Sequence, residues 1–199
     1  MDAVQICNMA LSHLMTQDTI MSLEPPDKTP AGRACKLFYD IALDTALQEY
    51  PWGFATKRVR LALVGTDVVT NWAFAYAYPS DCLDLRAITI PGMRDPSAEQ
   101  AIPFDTGNVA DAMVIFTDLE QAEVIYTGRV TNTRMFTPMF SMALSYLVGS
   151  LASSALGKPE LAVPLLELYT SRIMMAAGKS MNESAQGAAP EGSIVEARR

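Results

Sequence analysis

The chain has 199 residues, enough for one domain or for one domain that carries an insertion. Half of the residues are hydrophobic, only 19% are charged and 12 are methionine, a composition that favours burial of surface against other chains. The formal net charge of −7 argues against sequence-independent nucleic-acid binding, because phosphate binding needs a basic footprint. An acidic chain could still surround DNA, because an acidic channel wall repels phosphates and lets a DNA duplex slide through.

Cysteine usage and hydropathy predict a chain that is made in the cytoplasm. Cys7, Cys35 and Cys82 cannot all pair and have no metal-binding spacing, so we expect free thiols in a reducing compartment. The N-terminus has no signal-peptide pattern, and no stretch approaches the ~18 consecutive apolar residues of a membrane span. We therefore expect no membrane partner.

Two helices are predicted before residue 52. The first runs from Asp2, a plausible N-cap, to about Leu14. The second starts with Thr29 as N-cap and Pro30 at its first position, and Pro51 ends it. The predicted apolar stripe of the second helix consists of Ala31, Ala34, Cys35, Phe38, Ile41, Ala42 and Thr45.

Residues 52–130 are predicted to be mostly strand, with short turns and no intervening helix, which indicates an antiparallel sheet. The predicted strands are 54–63, 72–78, 83–90, 101–104, 112–117 and 122–130. The predicted turns are 65–67, 91–92, 105–108 and 118–120.

Two further helices and a tail complete the chain. The third helix has Thr137 as N-cap, runs to about residue 156 and is apolar nearly all round, so we expect it to be buried on most sides. The fourth covers roughly 159–181, with a late start or a kink at Pro164. Residues 183–199 are poor in large apolar side chains and are predicted to be a flexible C-terminal tail.

The predicted fold class is therefore α+β. Residues 1–51 and 131–182 would form a four-helix bundle, and 52–130 would form an antiparallel β-sheet inserted between helices 2 and 3. An extended tail would follow from residue 183.

No catalytic, cofactor-binding or metal-binding residues are predicted, and we expect the protein not to be an enzyme. His13, the single histidine, is expected to be an ordinary residue near the end of helix 1. Asp81 and Asp84 lie three apart on a predicted strand, on opposite faces, and so form no carboxylate pair. The phosphate-binding, dinucleotide and zinc-protease motifs are missing.

Two groups of residues are the candidate binding features. An aromatic run with alanine between the rings favours one packed strand face, against the core or a neighbouring subunit. The run consists of Trp72, Phe74, Tyr76 and Tyr78. Lys57, Arg58 and Arg60 form a basic cluster in which Arg58 and Arg60 share one strand face. These residues could face DNA in a channel or acidic residues of another subunit.

The order and spacing of several segments resemble the tail tubular protein A family, the head-to-tail adaptors of tailed bacteriophages. The segments are Glu49-Tyr50-Pro51-Trp52-Gly53-Phe54-Ala55, the basic cluster, Tyr78-Pro79-Ser80-Asp81-Cys82-Leu83, Tyr126-Thr127-Gly128-Arg129-Val130 and Phe136-Thr137-Pro138-Met139-Phe140. The resemblance covers roughly residues 2–180.

The resemblance implies a ring of about twelve copies that joins the portal protein to the tail tube or nozzle. DNA would pass through the ring without specific binding, and the protein would belong to the neck or tail of a virion assembled in the host cytoplasm. The helices would pack side by side around the ring, and the tail would dock on the portal. The docking residues of the tail would be Ile194, Val195, Arg198 and Arg199.

Two alternatives stay open. One is another interaction module, such as a head-completion protein or a cytoplasmic regulator. The other is an enzyme whose site forms between subunits, for which Asp81, Arg86 and Arg129 would have to meet in a cleft.

Overall fold

The computed structural model describes residues 1–65, 71–93 and 102–184. The helices are α1 (Ala3–His13), α2 (Pro30–Gln48), α3 (Pro138–Ala152) and α4 (Ala162–Ser184). The strands are β1 (Thr56–Arg60), β2 (Leu63–Gly65), β3 (Phe74–Ala77), β4 (Cys82–Thr89), β5 (Asp105–Val109), β6 (Ala112–Thr117) and β7 (Glu123–Gly128). Short 3₁₀ turns lie at Gly53–Ala55, Thr133–Met135 and Pro159–Leu161.

The predicted starts of three helices are confirmed, because each is fixed by a local side-chain cap. Asp2 and Gln5 form a reciprocal capping box at the start of α1. Thr29 Oγ1 accepts the Gly32 N–H at 3.0 Å, and Thr137 Oγ1 accepts the Phe140 N–H at 3.2 Å. A proline follows each threonine at the first helical position.

The predicted four-helix bundle with one inserted sheet is wrong. The helix α3 is central, and α1, α2 and α4 each pack against it rather than forming a four-membered ring of neighbours. The β region folds as two antiparallel sheets, with strand orders β1-β7-β4 and β2-β3-β6-β5. The apolar character of α3 explains its central place, since a helix without a polar face is buried on most sides; Met142 is its exposed large apolar side chain.

The chain changes sheets immediately after β1. The Leu61 N–H bonds the Ala122 carbonyl and so continues the pairing of β1 with β7, whereas the Ala62 carbonyl accepts from Ala77 at the end of β3. This switch is why the segment predicted as one strand, 54–63, is divided between β1 and β2. It also gives the two sheets one shared core.

The described residues form two main cores. The helical core includes Trp52 and Phe140, which are both fully buried and whose ring centroids lie 5.1 Å apart. The second core lies between the sheets, with Tyr76 and Ile115 from one sheet and Val124 from the other. Trp52 joins helix to sheet, since its Nε1 donates to the Ala46 carbonyl at 2.9 Å and β1 begins four residues later.

Several local predictions are also wrong. In α2, Ile41 and Thr45 are exposed, and the buried face instead includes Tyr39, Leu43 and Leu47. The segment 105–108, predicted as a turn, belongs to β5, and the turn falls at 110–111, where both residues have positive φ.

The strands predicted at 72–78, 83–90, 112–117 and 122–130 are confirmed, with bounds that differ by two residues at most. The strand predicted at 101–104 is wrong for its described residues 102–104, because Ile102 forms only an isolated bridge with Ile88. The predicted turn at 65–67 lies mostly outside the described residues, as do residues 185–199 of the predicted tail.

Cys7 and Cys35 are buried and Cys82 is partly exposed, and all three are free thiols. Within the described ranges, each helix is too short or too polar to cross a lipid bilayer.

Candidate interaction surfaces

The aromatic run around β3 divides between two packing environments. Phe74 and Tyr76 belong to the core between the sheets, and Tyr76 is only 2% exposed. The single proton of the Tyr76 hydroxyl is shared between the Leu119 and Glu120 carbonyl oxygens, which lie 2.7 and 2.6 Å from the hydroxyl oxygen. Trp72 packs with the cluster around Phe116, on the opposite face of the four-stranded sheet β2-β3-β6-β5. Trp72 lies before β3, so the alternation of side chains along the strand does not determine its direction.

Tyr76 therefore offers almost no surface to another chain. Contact with a partner stays a prediction for Trp72, Phe74 and Tyr78, which are each partly exposed.

The predicted division of the basic cluster between two strand faces is confirmed by the register of β1 on β7. Arg58 and Arg60 pair with Ile125 and Glu123, whereas Lys57 pairs with the core residue Tyr126. The Lys57 ammonium bonds the Asp81 carboxylate, and the Arg58 guanidinium donates to the Met93 carbonyl. Arg60 Nε lies 3.9 Å from Glu123 Oε1.

Arg86 extends this arginine-bearing face, which the sequence did not reveal. Its Nε donates to Thr127 Oγ1 at 3.1 Å and its Nη1 to Thr56 Oγ1 at 2.8 Å, so the guanidinium lies across β7 and β1. Burial lowers the pKa of Arg86. Whether Arg58 and Arg60 meet DNA or another subunit stays a prediction.

Asp81, Arg86 and Arg129, which an enzyme site between subunits would need in one cleft, lie on neighbouring segments of the fold. Their side chains, however, bind separate partners. The Arg129 N–H bonds the Asp81 carbonyl at 2.7 Å, yet the Arg129 side chain donates to Asp44 at 2.6 Å and Asp40 at 2.9 Å. The Asp81 carboxylate accepts from Lys57 and Tyr126, and the Lys57 hydrogen bond holds the pKa of Asp81 below its ordinary value. Together with the contacts of Arg86, this arrangement does not gather the three side chains in one cleft.

A cavity of about 330 Å³ lies beside this network, between the start of α1, α2 and the end of β7. Its charged lining is internally neutralised, since Arg129 pairs with Asp40 and the Lys36 ammonium bonds Glu24. The Arg129 ion pairs hold α2 against the end of β7, and the Lys36–Glu24 pair holds α2 against the loop that precedes it.

His13 connects α1 to α3. Its Nε2 lies 3.1 Å from Ser145 Oγ, and its ring stacks on Tyr146 at a centroid distance of 4.4 Å. The Ser145 hydroxyl donates to the Met142 carbonyl at 2.7 Å and the residue is fully buried, so this serine–histidine pair offers no accessible nucleophile. Burial lowers the pKa of His13.

The helix α4 carries exposed apolar side chains on two flanks in addition to its buried face. On one flank Leu166 and Met174 are 46% and 67% exposed, and on the other Leu168 and Met175 are 43% and 54% exposed. The buried face between the flanks consists of Leu165, Tyr169, Ile173 and Ala176. Because residues of a helix are about 100° apart, the two flanks point in nearly opposite directions.

The first flank forms one wall of a groove, which we call the α2–α4 groove. It is lined by Glu49, Tyr50, Tyr169, Thr170, Ile173, Met174 and Ala177 and encloses about 240 Å³. The Tyr169 hydroxyl is buried near Glu49; burial, and then the Glu49 carboxylate, raise the pKa of Tyr169 above its ordinary value.

The opposite flank is the α4 ridge, defined as Leu168, Arg172, Met175 and Lys179. These residues recur at i, i+4, i+7 and i+11 and so form one row. The sequence contained the signal for both flanks, because the large apolar residues of α4 occupy too wide an arc for one buried face. The second wall of the groove, at Glu49 and Tyr50, depends on tertiary packing.

Comparison with protein-family models finds no matching family, and comparison with curated proteins finds no significant match.

Proposed function

We propose that this chain is a structural head-to-tail adaptor of a tailed bacteriophage. Copies of it, about twelve, would form a ring in the virion neck that joins the portal protein to the tail tube or nozzle. DNA would pass through the ring without sequence-specific contacts. The ring would be assembled in the host cytoplasm.

The observation that carries this proposal is the surface of α4. An amphipathic helix on the surface of a monomer buries one apolar stripe and presents a polar face to water. Here the two flanks of α4 expose large apolar side chains on either side of the buried face. Interfaces between protein chains are enriched in methionine, and each flank of α4 exposes one, Met174 on the first and Met175 on the second.

The ordered series of segments in the sequence that resembles the tail tubular protein A family supports the same proposal. The overall acidity supports a channel that does not hold phosphates. The exposed Arg58 and Arg60 then offer a small basic area within an acidic ring, toward the DNA or toward the neighbouring copy.

The direct test is the mass and symmetry of the purified chain, alone and mixed with a portal ring, by light scattering and negative-stain imaging. We expect a ring of about twelve copies on the portal. A chain that stays monomeric under both conditions would contradict the proposal.

We further propose that residues 183–199 dock on the portal through Ile194, Val195, Arg198 and Arg199. A chain truncated after Asn182 should keep its fold and lose portal binding, because α4 ends at about this point. Its circular dichroism spectrum is the control for folding. Normal portal binding by the truncated chain would refute this assignment.

A further inference from the structure

The two flanks of α4 have complementary charge. The α4 ridge places Arg172 and Lys179 beside its apolar residues, and the α2–α4 groove places Glu49 beside Tyr50 and Met174. Within residues 1–65, 71–93 and 102–184, none of these three charged side chains forms an ion pair. Each surface therefore has apolar contacts and one sign of charge to offer a partner.

The dimensions of the two surfaces also match. The α4 ridge runs from Leu168 to Lys179, which at a rise of 1.5 Å per residue is a length of about 16 Å. The α2–α4 groove follows α4 from Tyr169 to Ala177, about 12 Å by the same rise. A row of side chains and a groove of similar length, on nearly opposite sides of one helix, allow every copy to use both at once.

We infer that the α4 ridge of one copy docks in the α2–α4 groove of the next copy. Leu168 and Met175 would pack against Tyr50 and Met174, and Arg172 would approach Glu49. The inference rests on the proposed function and names the contact that builds its ring. A contact between two different surfaces is heterologous, so repeating it produces a closed ring or an open filament rather than a symmetric dimer.

Charge reversal tests this contact and its heterologous character together. Arg172→Glu damages only the ridge and Glu49→Arg only the groove. Each variant alone should associate with itself about tenfold or more weakly than the wild type, because like charges meet at the contact. In an equimolar mixture of the two variants, each ridge finds a groove of opposite charge, so association should return.

The readouts are sedimentation velocity over a concentration series and the number of copies bound per portal ring. Met175→Gln and Met174→Gln test the apolar part of the two surfaces in the same way. Met21→Gln is the matched control, because Met21 is exposed but lies outside both surfaces. Circular dichroism and thermal unfolding check that each variant folds.

The outcomes separate the contact from the function. Weakened single variants, recovery in the mixture and an unchanged Met21→Gln control support the contact. If the wild type forms rings and the ridge and groove variants behave like it, the contact is wrong and the adaptor function stands. If single variants fail and their mixture does not recover, the ridge does not meet the groove. A wild type that never associates, even with portal, overturns both.

Discussion

Substitution of Tyr76 tests whether β3 is held by the chain's own core or by a neighbouring subunit. In Tyr76→Phe the ring stays and the hydroxyl is lost, together with its hydrogen bonds to the Leu119 and Glu120 carbonyls at 2.7 and 2.6 Å. A neutral hydrogen bond contributes about 0.5–1.5 kcal/mol net, and these carbonyls belong to a partly exposed turn that water can reach. We expect the free energy of unfolding to fall by about 1–2 kcal/mol.

Tyr76→Ala removes the ring as well and leaves a cavity between the two sheets. Truncation of a buried large aromatic residue costs about 3–5 kcal/mol, a large part of the roughly 5–15 kcal/mol of a typical domain. Urea unfolding followed by tryptophan fluorescence, at a concentration where the chain is monomeric, measures both losses. Tyr78→Phe is the comparison and should lose less than Tyr76→Phe, because Tyr78 is partly exposed and its hydroxyl has the Cys82 thiol, a weak hydrogen-bond partner. If Tyr76→Ala weakened ring assembly and left monomer stability unchanged, the assignment of Tyr76 to the core would be refuted.

Three further substitutions test the contacts that hold the helices. Arg129→Gln, which removes the ion pairs to two aspartates of α2, should reduce the free energy of unfolding by about 1–2 kcal/mol in urea titrations; the exposed Arg134→Gln should have almost no effect. Phe140→Ala should cost about 3–5 kcal/mol, because the fully buried ring contacts three other aromatic rings; a loss below 1 kcal/mol would contradict this packing. Burial lowers the pKa of His13, so on acidification the unfolded chain takes up a proton before the folded chain does. The stability of the wild type should therefore fall as the pH drops below about 6.5. In thermal melts over this range, His13→Gln should lose less stability than the wild type.

Local chemistry made the helix starts predictable. The hydroxyl oxygens of Thr29 and Thr137 accept hydrogen bonds from backbone N–H groups three residues later, so the pattern that predicts each helix start lies within four consecutive residues. The same holds for the capping box at Asp2. The buried face of α2 was harder to predict, because its orientation depends on α3 and on Arg129, which lies far away in the sequence.

Strand pairing could not be read from the sequence, because alternation gives the faces of a strand and not its partner. Thr56 pairs with Thr127, far along the chain, and the β2–β3 pairing belongs to the other sheet. The polar edge strand β5 has the composition of a turn. Its Gly107 is explained only by tertiary packing, since a Cβ there would lie 2.6 Å from the Phe116 ring.

The proposed contact also explains why the ring would depend on the portal. A stable interface between two proteins buries about 800 Å² on each partner, whereas the α4 ridge is a single row of four side chains. One such contact is therefore weak by itself, and we expect the free wild-type chain to associate only toward the high end of the concentration series. A portal that binds neighbouring copies raises their effective concentration, so that the same weak contact closes the ring.

Twelve copies require a rotation of about 30° between neighbours, which a heterologous contact permits and an isologous one does not. We therefore expect Arg172→Glu to reduce the number of copies per portal more than the binding of the first copy. Equal loss of both would show that the ridge contacts the portal instead of the neighbouring copy.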